Sequence, residues 1–177
     1  MKKTLTAITL ALGLTCAADA KNLTVYFSAS GNTERLANAI HNVVGDDIVR
    51  ITPVIDYPTD YTERTEYAQK EKNENARPQY QDLGVNISDY DTVYVGYPIW
   101  WYQMPMIMYT FFENNDLSGK TVVPFNTHEG SGNGGTYETI KTLAPNSTVL
   151  DGLAVRGGDT ENDQTETIKT WLQSIGK

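Results

Sequence analysis

The run Ser28-Ala29-Ser30-Gly31-Asn32-Thr33 puts three hydroxyls, a carboxamide and a glycine within six positions. Small polar side chains and a glycine let a backbone wrap closely round an anion. If a helix follows, its first N–H groups point at that anion and its dipole favours the charge. The run holds no lysine, which argues against a nucleotide triphosphatase loop. A phosphate monoester held by N–H and O–H donors fits better. The alternative is an ordinary strand-to-helix turn with Ser30 or Asn32 as N-cap.

Two further runs carry candidate chemistry. Tyr97-Pro98-Ile99-Trp100-Trp101-Tyr102 offers flat aromatic faces on a Pro-rigidified turn, suited to a planar ring system. It reads equally as a hydrophobic lid over the core or as a partner surface. Neighbouring Trp side chains on an extended turn diverge, so one of the pair faces a ligand; Trp101, farther from the strand end, is the expected one. Thr127-His128-Glu129-Gly130-Ser131-Gly132-Asn133-Gly134-Gly135 has four glycines in its last six positions, which permits close backbone approach to a ligand. His128 and Glu129 are candidates for an acid/base pair, against the alternative of a flexible polar turn. His41 lies among polar neighbours and reads as a surface residue.

These runs need elements to hold them, and each follows a strand-like segment. Residues 23–27, 48–51, 92–96, 121–126 and 148–155 read as five strands. Leu36, Ala37, Ile40, Val43 and Val44 recur at helical spacing, with Gly45 placed to end the helix. Asp60 and Glu63 suggest a capping box for a polar helix through about Glu74. Pro105 suits the first turn of an apolar helix, and Ile168, Trp171, Leu172 and Ile175 mark a last amphipathic one. Strands alternating with helices predict an α/β three-layer sandwich around a doubly wound five-stranded parallel sheet. Pro124 lacks an N–H for the ladder, so a bulge or a locally unpaired edge is expected beside it.

The chain has 177 residues, 40% hydrophobic and 20% charged, with a formal net charge of −8. Such an acidic chain without a Lys/Arg cluster is a poor partner for nucleic acid or an anionic membrane. Lys2 and Lys3, a short apolar run from Leu5 to Leu14, and Ala18-Asp19-Ala20 read as a cleavable signal peptide over residues 1–20. Residues 21–177 then form one exported domain, expected to be periplasmic and free of the membrane after cleavage. Removing Lys2, Lys3 and Asp19 moves the net charge from −8 to −9, and Cys16, the only cysteine, is lost with them. A lipoprotein that keeps an acylated Cys16 is the less favoured reading, since Thr15 replaces the usual small residue before it.

The segments "SASGNTERLA" after "LTVYF", "GYPIWWYQMP" and "PFNTHEGSGNGG" together resemble the flavodoxin family, in particular an exported bacterial branch, over Asn22 to Ile175. The resemblance implies strand order 2-1-3-4-5, with non-covalent FMN at the switch between the first and third strands; the rule relating ligand to switch point is itself illustrated by flavodoxin. It further implies that Ser28, Ser30, Gly31, Asn32 and Thr33 hold the ribityl phosphate. Pro98, Ile99, Trp100 and Trp101 would flank the isoalloxazine. The loop from Thr127 through His128 and Gly130 to Gly132 would meet the ring edge. Three functions are compatible with the resemblance. The first is an electron carrier docking its acidic surface on a basic redox partner protein. The second is an FMN-dependent NAD(P)H:quinone or flavin reductase, with His128 as proton donor. The third is a flavin- or phosphate-binding module without turnover. No metal ligand set is expected.

Overall fold

The computed structural model describes residues 20–177. The signal-peptide reading, including Cys16, falls on residues outside that range apart from Ala20. Six strands form one sheet: β1 (Asn22–Tyr26), β2 (Asp47–Arg50), β3 (Thr92–Pro98), β4 (Thr121–His128), β5 (Thr148–Val149) and β6 (Leu153–Arg156). Every pairing is parallel, and the order is β2-β1-β3-β4-β5, with β6 also running along β4. The doubly wound sandwich expected from the alternation of elements is the fold observed, in the 2-1-3-4-5 order that the family resemblance implies.

Helices α1 (Asn32–Val44), α2 (Tyr61–Asn73), α3 (Met106–Asn114), α4 (Thr136–Leu143) and α5 (Thr165–Ser174) cover both sides. Successive side chains of a strand point to opposite faces. Leu23, Val25, Val93 and Val95 therefore pack against Ile107 and Phe111 of α3. Tyr26, Tyr94, Val123 and Phe125 meet Leu36 and Ile40 of α1 and Ile168 and Trp171 of α5. With both faces buried the strands read as continuous apolar runs, as parallel sheets require. Gly96 keeps the second core closed: a Cβ there would stand 2.1 Å from the Phe125 ring.

Local signals end the helices where expected. Gly45 takes the left-handed conformation at the end of α1 and donates to the His41 carbonyl at 2.8 Å. The Asp60 carboxylate accepts from the Glu63 amide at 3.0 Å, one half of the expected capping box. His41 is half-buried and not simply a surface group, because its Nδ1 lies 2.9 Å from Oδ1 of the buried Asp46 carboxylate.

Two departures from the sequence reading have clear causes. The fifth strand is divided into β5 and β6. Val122 pairs with Val149 but Phe125 pairs with Leu153, so the edge carries one extra residue across the break. The Val122 carbonyl accepts from Leu150, and Pro124 two residues on faces the same edge, so its missing N–H falls at the bulge. The sequence reading also passed over α4, whose eight residues bury only Thr136 and Ile140, too short a stripe to register as a period.

Candidate functional site

At the carboxyl end of the sheet the loops after β1, β3 and β4 border one cleft of about 690 Å³, a size typical of small-molecule sites. The loop after β1 is shaped by its own side chains. The buried Ser28 accepts from the Gly31 amide at 3.2 Å, and its carbonyl accepts from Arg50 at 2.8 Å. Gly31 has φ 90°, a left-handed conformation glycine adopts without the strain other residues bear. The turn leaves the amides of Ser30, Asn32 and Thr33 without a hydrogen-bond partner among the described residues. Ser30 is exposed, and with Ala29 and Asn32 it lines the cleft. These donors at the start of α1 fit an anion, which both the free N–H groups and the helix dipole favour.

Thr33 is placed differently. It is 1% exposed, and its hydroxyl lies 2.7 Å from that of Thr127, so it ties the first loop to the end of β4 across 94 residues of sequence. Arg35, one turn along α1, was not singled out from sequence. Its Nη1 lies 3.3 Å from where a Gly31 Cβ would stand, its Nη2 donates to Asn32 at 2.5 Å, and its Nε donates to Thr160. It brings a positive charge beside the loop that the lysine-free run lacks.

The loop after β3 makes the aromatic wall. Trp100 and Gln103 exchange two backbone hydrogen bonds, at 2.9 and 3.0 Å, closing a two-residue turn. Its central residues, Trp101 and Tyr102, have φ of 52° and 60°. The extended turn assumed from sequence is therefore replaced by a tight left-handed one, which bulky residues occupy only under strain. Neighbours pin it: Trp101 Nε1 donates to the Thr65 carbonyl at 3.0 Å, and Lys72 Nζ donates to the Trp101 carbonyl at 2.9 Å. Trp100 is wedged edge-on against Phe27 and Tyr57, whereas Trp101 is 38% exposed; both line the cleft with Pro98 and Ile99.

The loop after β4 completes the mouth. His128 Nδ1 accepts from the Gly130 amide at 2.9 Å, which leaves Nε2 to carry the proton of the neutral ring. Glu129 instead lies 3.7 Å from Arg156, so the two side chains form no acid/base pair. The fully buried Asn126 sets the loop's path by donating to the Gly132 carbonyl at 3.1 Å and accepting from Tyr137 at 2.8 Å. Tyr97 is likewise buried beneath the loop against Thr136 at 2.9 Å, and burial raises its phenol well above the ordinary tyrosine range. Thr127, His128 and Gly130 line the cleft together with Glu129 and Ser131, while Gly132 is not among its lining residues and accepts from Asn126.

Sequence reasoning missed a fourth wall. Tyr61, Arg64, Thr65 and Ala68 of α2 line the cleft beside the aromatic turn. Their spacing of i, i+3, i+4 and i+7 marks one helix face, the signal that could have found them. It went unread because these residues are not uniformly apolar and the helix around them is polar.

The donor set and the planar-walled cleft fit FMN: free amides at one end suit a phosphate, and aromatic faces beyond them suit a fused ring. The comparisons agree on the class of protein. The profile of the Flavodoxin family matches residues 21–175. This chain therefore belongs to the flavodoxin family. It is similar to a flavoprotein of known structure from Bacteroides eggerthii DSM 20697 at 35% identity, with 90% of this chain and 99% of that chain covered and a TM-score of 0.79. A flavoprotein from Bacteroides uniformis ATCC 8492 is 31% identical over 87% of this chain and 98% of that one, with a TM-score of 0.77. A flavoprotein from Lactobacillus acidophilus NCFM, solved in complex with FMN, shares the fold at 19% identity, covering 89% and 99% of the two chains, with a TM-score of 0.66. Curated proteins give no match.

Proposed function

We propose that this protein binds FMN without a covalent bond and transfers electrons through it to a partner protein. The observation that carries the proposal is the set of unpartnered amides at the start of α1, with Ser30 and Asn32 lining the same cleft as Trp100 and Trp101. Bound FMN supplies reversible redox chemistry, and the chain supplies position and surroundings. Ser30 and the loop amides hold the phosphate, with Arg35 beside them. Pro98, Ile99 and the two Trp residues exclude water from the ring faces. Thr127, His128 and Gly130 meet its edge.

The family membership and the FMN complex of the Lactobacillus protein support the choice of cofactor. The net charge of −8 supports a partner with a basic docking face. A second reading, reduction of a quinone by NAD(P)H, draws support from the Nε2–H of His128 at the cleft mouth.

Titrating the apoprotein with FMN and with riboflavin, followed by flavin emission, tests the cofactor. FMN is expected to bind more tightly, because riboflavin lacks the phosphate. Equal affinities would sink the phosphate assignment. Electron transfer from the reduced protein to a basic cytochrome should slow as salt rises, since screening weakens steering between opposite charges. Steady NAD(P)H oxidation with a quinone as acceptor would instead favour the reductase reading.

A further inference from the structure

Glu71 on α2 is a charged residue buried to 7% exposure. Its Oε2 accepts from the Tyr57 hydroxyl at 3.0 Å. The Tyr57 ring lies 5.2 Å from Trp100 at 75°, 5.3 Å from Phe27 and 5.6 Å from Tyr67. Trp100 in turn meets Phe27 edge-on at 5.6 Å. A carboxyl, a hydroxyl and a ring thus run in series from the interior of α2 to the wall of the cleft. Behind Glu71 a separate cavity of about 350 Å³ opens between α2 and residues 76–79, with Val54 and Ile55 on its rim.

A structural role alone would be met better by an apolar side chain of the same volume, because burying a carboxyl carries a desolvation penalty. We propose that Glu71 is a positioning residue for the redox cleft: through the Tyr57 hydroxyl it fixes the wedge that sets how Trp100 faces the bound flavin. The inference rests on the reading that this cleft holds FMN.

A charged carboxylate accepts a hydrogen bond about twice as strongly as a neutral one. Gain of a proton at Glu71 therefore loosens Tyr57 and, with it, Trp100. Burial pushes the Glu71 carboxyl up to about 7, with the Tyr57 bond acting in the opposite direction. Tyr57 from the β2–α2 loop donates to Glu71, and the titratable groups that line the cavity with it are Tyr67, Lys70 and Glu74 on its own helix and Arg77 across the cavity. Arg77 is itself held by Glu113 of α3 at 2.8 Å. The cavity gives protons a path from solvent to a carboxyl that the flavin cleft does not expose.

The test follows the visible circular dichroism and emission of FMN bound to the wild-type protein, Glu71→Gln and Tyr57→Phe between pH 5.5 and 8.5. The wild type should show an inflection near pH 7, the value given by burial of Glu71. Both variants should lose it while their FMN dissociation constants stay within about 10-fold of the wild type. If Glu71→Gln fails to fold, Tyr57→Phe decides, since it keeps the ring and its packing. An inflection that survives in the folded variants belongs to another group, His128 foremost, and overturns the proposal. A flat wild-type profile with FMN bound overturns it too. A wild-type protein that takes up no FMN overturns the functional reading itself, which is a different result.

Discussion

The loop after β1 and the loop after β3, which the proposed function sets at two ends of one ligand, are built in opposite ways. The first takes its left-handed residue from Gly31, the conformation costs little, and the product is a set of free backbone donors. The second puts Trp101 and Tyr102 in left-handed conformations that favour glycine, and the product is aromatic surface. The first loop can be shaped by its own residues because what it offers is backbone. The second needs α2 to hold it, through Thr65 and Lys72, because its bulky side chains strain the turn. A loop that offers backbone is thus locally encoded, and one that offers bulky side chains is borrowed from its neighbours.

The largest expected effect breaks the first half of this comparison. Ser30→Ala removes a donor at the phosphate end and should weaken FMN binding by about 1.5–3 kcal/mol, roughly 10- to 150-fold. Riboflavin binding should hardly change. Thr33→Ala should behave otherwise, since its hydroxyl meets Thr127 and not the cleft. It should cost about 1 kcal/mol of stability and weaken both flavins alike. Isothermal titration with the two ligands separates the outcomes, and a phosphate-selective loss in Thr33→Ala would contradict the assignment of its hydroxyl.

The next effect concerns the support behind the second loop. Because burial raises the Glu71 carboxyl to about 7, the folded state holds a proton there that the unfolded chain releases near its ordinary value. The stability this contributes is present at low pH and lost as pH rises through 7. Denaturant unfolding should show the wild type losing about 2 kcal/mol relative to Glu71→Gln between pH 5 and pH 8. A constant difference across that range would mean the carboxyl titrates normally.

Tyr102→Gly sharpens the contrast in backbone cost. The left-handed conformation penalises Tyr by about 1–2 kcal/mol, while glycine in the unfolded chain costs up to about 1 kcal/mol of entropy. Tyr102 is 76% exposed, so little packing is lost, and the variant should be as stable as the wild type or up to about 1 kcal/mol more stable. A thermal melt that falls instead would show that the turn is not strained. An effect of similar size is that of Trp101→Leu. It should raise the emission of bound flavin and weaken FMN by about 0.5–1.5 kcal/mol, leaving the core wedge at Trp100 in place. Unchanged emission would confine Trp101 to holding α2.

The same contrast explains how much could be read from the amino-acid sequence. The strands, the first helix and the hydroxyl-rich loop were legible because each is written in contiguous residues: β-branched runs, a helical period, a glycine at the turn. The strand order came only from the resemblance to the flavodoxin family. Even the bulge announced itself through Pro124. The α2 wall was not legible, since Tyr61, Arg64, Thr65 and Ala68 acquire their meaning only when Trp101 folds across to Thr65. The left-handed turn was hidden for a related reason, because its sequence lacks the Asn or Gly that would mark it. Thr33 read as a phosphate donor and Asn126 as an ordinary strand residue, and the partners of both side chains are brought close only by the fold.

The divided edge strand has a consequence for how the molecule meets others of its kind. A long flat edge is a template on which another chain can add a strand, whereas short and kinked edges refuse one. Here the outer rim beyond β4 is two residues, a bulge, then four more, so its open hydrogen-bonding groups fall out of line with any straight newcomer. The opposite rim, β2, is four residues long and carries Asp47 and Arg50 at its ends, both engaged with their own chain through Tyr90 and Glu34. If the protein works as proposed, by brief encounters at one end of its sheet, it gains from sides that no stray strand can join, and the misfit beside Pro124 supplies that protection.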